Sequence, residues 1–366
     1  MMRPLYVSAT KQDTGKTTHV IGLFQAFRDL GYNVGYMKPV GQRYVRYEGQ
    51  NIDEDAVLAR ITFNLTDPPA DMSSIAIERG FTANYIFHRD PKPLENRIMG
   101  AFNRLRRAHD LMVVEGTGHA GVGSCFDLSN ARVAQIFGGA VIIITEGGIG
   151  RAIDEIALSL HLFREHGVTV LGAILNKTLP EKLDKVRTAV AQGLENLGTR
   201  LLGVVPYRPQ LLYPRMEQIA TEVRGQVLCC DEALPNVIEN IVVAAMAPQH
   251  VAPYLRERTL AIAPGDRIDG ALVSVLTGAT AGDAAPPVCG LVLTGGFEPD
   301  PQVLDALKAS GVPVVLCKED TYSVAARLKT MRFKIRVEDT DKIADAKRLV
   351  RESIDVEALA EQLKAL

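Results

Sequence analysis

Several things are missing from this 366-residue chain, and each absence excludes a class of protein. Charge of one sign is missing: 41 Lys and Arg stand against 43 Asp and Glu, a formal net charge of −2. That balance gives no electrostatic reason to expect nucleic acid or an anionic membrane as a partner. Cysteine is scarce and scattered, with five residues at Cys125, Cys229, Cys230, Cys289 and Cys317 and no CxxC spacing. This argues against a disulfide framework and against a zinc site. Long hydrophobic runs are also missing. A run such as Ala140 to Thr145 falls far short of the roughly 20 residues that span a bilayer. The N-terminus passes from Met1-Met2-Arg3-Pro4 straight into Leu5-Tyr6-Val7, without the pattern of a secretory leader. With 47% hydrophobic and 23% charged residues, the expectation is a soluble, cytoplasmic, globular protein of two to three domains.

What is present is an alternation of short apolar runs and amphipathic stretches. A strand is expected at 3–9, a helix from Lys16 to Leu30 with Gly31 as its C-cap, and a strand at 33–37 ending on Lys38-Pro39. Helical patterns follow at 51–62 and 94–108. Leu111–Val114, Ala140–Thr145 and Val168–Leu175 are mostly apolar rather than alternating, as strands covered on both faces read. Helical patterns at 129–137, 152–166 and 181–197 separate them, and a strand at 200–205 ends at Pro206. The fold class expected is α/β, a doubly wound parallel sheet. Two prolines within 207–216 mark a domain boundary. A smaller α/β unit follows, with strands near 260–263, 289–293 and 314–316, and an Ala-, Gly- and Pro-rich loop at 279–287. The expected division is 1–210, 213–330, and a C-terminal helical segment over 331–366, read as a tail or a packed terminal helix.

The strongest chemical signal lies between the first strand and the first helix: Thr10-Lys11-Gln12-Asp13-Thr14-Gly15-Lys16-Thr17-Thr18. It ends in the Gly-Lys-Thr of a P-loop, although Thr10 stands where the usual pattern has glycine. Backbone N–H groups and the helix N-terminus suit phosphates. Lys16 is expected on the β- and γ-phosphates and Thr17 on Mg²⁺. Lys11, four residues before Gly15, stands where deviant P-loops carry a second phosphate-contacting lysine; a solvated loop lysine is the alternative. Glu115, after the third strand, occupies the position of a carboxylate that binds Mg²⁺ directly or through water. Lys38 ends its strand at the same sheet edge, where it can neutralise a transferring phosphoryl group. Asp55 is a further candidate Mg²⁺ ligand, or an ordinary helix N-terminal acid. Asn176-Lys177 follows another strand and is read as contacting the base. Leu179 stands where a guanine-specific carboxylate would be, which favours adenine. His119 is either a general base or a plain loop histidine.

Together these residues resemble dethiobiotin synthetase and the BioD-like N-terminal domain of long phosphotransacetylases. The pieces that carry the likeness are Asp13 with the GKTT run, Lys38-Pro39-Val40, Asp55-Ala56, Glu115-Gly116-Thr117-Gly118, Asn176, and Leu202 to Pro206. Residues 213–330 are similar to a DRTGG domain through Asp266-Arg267 and Thr294-Gly295-Gly296. The acetyltransferase domain of the long phosphotransacetylases is not expected within this sequence. The resemblance implies an ATP and Mg²⁺ site with Lys16, Lys38 and Glu115 as catalytic groups. Thr17, Asp55 and Glu115 would hold metal, and residues 10–18 with Asn176 and Pro206 would bind nucleotide. It also implies a homodimer and a small-molecule effector at the DRTGG-like part. The functional expectation is a regulatory protein that binds or slowly hydrolyses MgATP. The alternative is an ATP-dependent ligase or kinase activating a carboxylate or carbamate. Gly41-Gln42 stands where the synthetase has a small residue and then a substrate-contacting serine. That departure favours the regulatory expectation.

Overall fold

The structure, a computed structural model, describes residues 2–278, 287–331 and 333–366. Residues 279–286 of the expected Ala/Gly/Pro loop lie outside the described residues. The chain divides into two compact units, one of residues 1–208 with 335–366 and the other of residues 209–334.

The first unit is built on six strands: β1 Leu5–Ala9, β2 Val34–Met37, β3 Leu111–His119, β4 Ala140–Glu146, β5 Thr169–Thr178 and β6 Leu201–Pro206. Their order is β6-β5-β4-β1-β3-β2, and every pairing is parallel. The crossovers are helical: α1 Lys16–Asp29, α2 Glu54–Thr62, α3 Pro91–Arg106, α4 Asn130–Phe137, α5 Gly150–Glu165 and α6 Leu183–Asn196. All five residues of β1 are buried, as are Ile142, Ile143 and Ile144 of β4. That is why these stretches show no in–out alternation: helices cover both faces. The strand order runs outward in opposite directions on either side of β1, with β3 and β2 to one side and β4, β5 and β6 to the other, so its carboxyl end opens onto the crevice where doubly wound sheets place ligands.

Two stretches differ from the simple periodic reading. Residues 51–53 are strand, not helix. They belong to a hairpin of Tyr44–Tyr47 with Gln50–Asp53, and α2 starts only after Asp53, whose carboxylate accepts from the Asp55 N–H at 3.0 Å. A capping aspartate ends one element and begins the next. β3 runs on through Glu115 to His119 although its apolar run stops at Val114. The β1–β3 register shifts between Val7 and Ala9, so the Gly-rich stretch stays in the sheet as an irregularity.

The second unit holds β7 Gln226–Cys229, β8 Asn240–Val243, β9 Thr259–Pro264, β10 Val288–Thr294 and β11 Val314–Leu316. Their order is β7-β11-β10-β9-β8, with β7 antiparallel to β11 and the rest parallel. Its principal helices are α7 Met216–Glu222, α8 Gly270–Thr277, α9 Pro301–Ala309 and α10 Thr321–Thr330. Leu260, Ile262, Val292 and Val315 enter one core cluster, and Ala261, Ala263, Leu291, Leu293 and Val314 the other. The sheet is therefore sealed on both sides by alternate residues of the same strands.

The last two helices, α11 Thr340–Ser353 and α12 Val356–Ala365, return to the first unit. A β-carbon on Gly22 of α1 would strike Val350 and stand 2.9 Å from the Ala346 carbonyl, so the bare glycine lets α11 lie close against α1. The five cysteines are free. No helix among the described residues is long and apolar enough to cross a membrane.

Candidate functional site

The site grows from the loop that joins β1 to α1. Gly15 is the N-cap of α1 with φ +97°, a left-handed conformation that a β-carbon makes costly. The Asn176 carboxamide lies where that β-carbon would be and donates to the Thr14 carbonyl at 2.6 Å. Lys177 Nζ donates to the Asp13 carbonyl at 2.6 Å. Residues from β5 thus hold the loop open from the side. Thr10 stands in place of the usual first glycine. Its hydroxyl donates to Glu155 Oε2 at 2.8 Å and lies 2.9 Å from the Thr145 hydroxyl, so a side chain anchors the start of the loop. Gln12 donates to Gln42 at 3.2 Å. Thr18 is partly exposed in the first turn of α1.

The lower wall of the loop is a buried polar cluster. Lys16 is 9% exposed. Thr17 Oγ1 donates to Glu115 Oε1 at 2.8 Å, and the Tyr36 hydroxyl donates to Glu115 Oε2 at 2.9 Å. Lys38 ion-pairs with Asp55, lies 3.2 Å from Asp53 Oδ1 and 3.8 Å from Glu115 Oε1, and is 5% exposed. Burial alone would lower the Lys38 pKa. Asp55, Glu115 and Asp53 outweigh that and hold it above the ordinary lysine value, so it is an ammonium. Burial, reinforced by Glu115, Asp55 and Asp53, pushes the Tyr36 phenol well above its usual value, so it remains a donor. His19 is fully buried, with Nδ1 2.9 Å from the Gly15 carbonyl. Burial lowers its pKa from 6.5 to about 4, against the opposing Gly15 contact. The ring is therefore neutral near pH 7, with Nδ1–H donating.

Each residue expected from the sequence has a definite place. Lys16, Thr17, Lys38, Asp55 and Glu115 converge on the carboxyl end of β1. Lys11 sits at the other side, paired with Glu146 at 2.5 Å; Lys177 reaches the same carboxylate at 2.9 Å. Burial would raise the Glu146 pKa, yet these two lysines hold it below the usual range. Asn176 is 6% exposed, and its N–H braces the P-loop. Pro206 closes β6 opposite Thr178. His119 is exposed and its Nδ1 accepts from the Gly121 N–H at 3.2 Å, a local loop contact.

Tyr36, Asn130 and Glu146 escape a motif-based reading. Asn130 accepts from the Tyr6 hydroxyl at 2.8 Å and the Thr117 N–H at 3.0 Å. It donates to the Thr117 and His119 carbonyls at 2.7 and 2.6 Å. It thereby clamps the end of β3 over residues 116–119. Tyr36 had a signal: it lies two residues before Lys38, and strand periodicity puts the two on one face. Asn130 and Glu146 had none, because their partners are distant in sequence.

Oxygen ligands that converge on a P-loop suit a hard divalent cation such as Mg²⁺. Among the described residues, no group of three or more His, Cys, Asp or Glu could hold a metal by itself.

Residues 218–331 match the DRTGG domain. Curated relatives include the phosphate acetyltransferases of Nitrosomonas europaea (26% identity; 99% of this chain, 52% of the relative) and Synechocystis (24%; 100% and 52%). The chain spans about half the length of these relatives. Solved structures with similarity include the MinC:MinD cell division complex of Aquifex aeolicus (14% identity, TM-score 0.38, 57% of this chain and 83% of that chain). Another is the CBS and DRTGG regulatory region of Clostridium perfringens pyrophosphatase, complexed with diadenosine tetraphosphate (14%, 0.27, 42% and 71%). Residues 3–215, more than half of the chain, match the AAA domain family AAA_26, and the chain belongs to that family.

Proposed function

We propose that the first unit binds MgATP on residues 10–18 and that the protein is a regulatory nucleotide-binding protein, with the DRTGG domain as its ligand-sensing part. One observation carries the reading: Lys16, Thr17 and Glu115 meet at the carboxyl end of the central strand, with Thr17 hydrogen-bonded to Glu115. The α1 N-terminus and the loop N–H groups supply partial positive charge for phosphates. Lys16 supplies a full charge to the terminal phosphates. Thr17, Glu115 and Asp55 would hold Mg²⁺, which when bound neutralises phosphate charge. Asn176 and Lys177 keep the loop in its open, left-handed shape. With Asn176 committed to the loop at one N–H, its part in adenine selection would come through its remaining polar atoms, alongside Pro206.

A second reading, a dethiobiotin synthetase-like ligase or kinase, is favoured by Lys38. A buried ammonium beside the P-loop, held by Asp53, Asp55 and Glu115, is placed to stabilise a phosphoryl group passing to an acceptor. MgATP consumption by the purified chain, with Lys16→Ala as control, separates the readings. Turnover without acceptor, lost in the variant, supports the regulatory ATPase. A saturable MgATP-dependent thermal shift without turnover, followed by turnover on adding an amine or carboxylate, supports the ligase. Neither turnover nor shift overturns both.

A further inference from the structure

A cavity of about 840 Å³ lies within the first unit, outside the P-loop. Its walls include the hairpin 44–53, the strand Ile75–Ala76, the turn 78–80, the helix Phe81–Phe87 and the outer side of α3. Arg46, Arg79 and Arg97 line it against a single acid, Glu78. Acids on neighbouring elements are already engaged: Glu48 with Arg60, Asp71 with Arg104, Glu95 with Arg132, and Asp53 with Lys38. Glu78 itself accepts from Asn51 at 2.7 Å, and Arg46 donates to Asn51 at 3.2 Å. Among the described residues, Arg79 and Arg97 have no hydrogen bond or ion pair.

Three guanidiniums facing one cavity against a single carboxylate, two of them paired with no acid, leave an excess of positive charge that an anion relieves. Their planar forks suit carboxylate or phosphate oxygens taken two at a time. Ile52 lines this cavity, while the next residue, Asp53, pairs with Lys38. A single strand therefore separates the two places. We infer that this cavity is a second binding site, for a small anion of two or more negative charges, either a polycarboxylate or a phosphate ester, and that it is separate from the P-loop. The inference does not depend on what the P-loop binds.

Isothermal titration of the full chain with citrate and with pyrophosphate, at constant ionic strength, tests it. Saturable binding of at least one anion is expected in the wild type and equally in Lys16→Ala. Arg79→Gln/Arg97→Gln should weaken it by about tenfold or more, while Arg164→Gln/Arg258→Gln, removing the same charge elsewhere, should leave it unchanged. Binding of citrate alone assigns a polycarboxylate, and of pyrophosphate alone a phosphate ester. The exposed arginines can be replaced without disturbing the fold, so a loss of binding is interpretable. Loss in Lys16→Ala with retention in the Arg79/Arg97 variant overturns the inference, as does an equal loss in the control pair. Absence of saturable binding by both anions overturns it as well.

Discussion

The carboxyl edges of the two sheets are built on opposite principles. In the first unit that edge is a buried polar cluster: Lys16, Lys38, Asp53, Asp55 and Glu115 are all at most 9% exposed. In the second, Asp266 and Arg267 are exposed and only Thr294 is buried, its hydroxyl 2.6 Å from that of Thr321. Gly295 and Gly296 turn the chain there with positive φ, and their N–H groups bond to Glu319 and Cys317 carbonyls. The DRTGG edge is held by backbone, whereas the P-loop edge is held by charge. Burying charge is costly unless every charge is partnered. The first edge should therefore be brittle to single substitutions and the second tolerant.

The largest break should come from Lys38→Met. It leaves three buried carboxylates without their ammonium, a loss of about 3–5 kcal/mol. Hydrogen exchange of the β1 and β3 amides in the full chain should accelerate accordingly, while β9 and β10 amides should not. Asp55→Asn added to Lys38→Met should recover part of the loss, since it removes one of the stranded charges.

Acid provides the next test. His19 has a folded pKa of about 4 against an ordinary 6.5. Above pH 6.5 both folded and unfolded states hold it neutral and it is without effect. Below 6.5 the unfolded state takes up the proton and the folded state does not, so stability falls as pH drops toward 4, by up to about 3 kcal/mol. The β1 and α1 amides should lose protection over that window, and His19→Gln should flatten the slope.

Asn176→Ala removes the donor to the Thr14 carbonyl and opens space beside Gly15. A loss of about 1–3 kcal/mol is expected, with weaker MgATP binding measured by calorimetry. In the second unit, Asp266→Asn or Arg267→Gln, both exposed, should change stability by less than about 0.5 kcal/mol. A loss there as large as that of Lys38→Met would erase the contrast.

Much of this was legible in the residues. The continuous apolar runs of β4 and β5 announce strands covered on both faces, and the Gly-Lys-Thr before an amphipathic helix announces the P-loop. Lys38 and Glu115 were legible because each closes an apolar strand at the same edge. The hairpin 44–53 was not, because both its strands are short and polar and carry no periodic signal. α11 and α12 announce themselves as helices, but nothing local says that Val350 packs over Gly22.

Local chemistry by itself determined the buried strands and the main helices of the P-loop unit, though not the polar hairpin 44–53, and which residues can meet phosphate, since those properties depend on spacings of two to nine residues along the chain. Tertiary structure alone decided that Tyr36 and Thr17 share Glu115, that Lys38 has Asp53 as well as Asp55 for company, that Asn176 braces a loop 162 residues away, and that Arg79 and Arg97 line one cavity without an ion pair. Such pairings depend on which strands lie side by side and on how closely helices approach, and burial then turns proximity into strong electrostatic coupling.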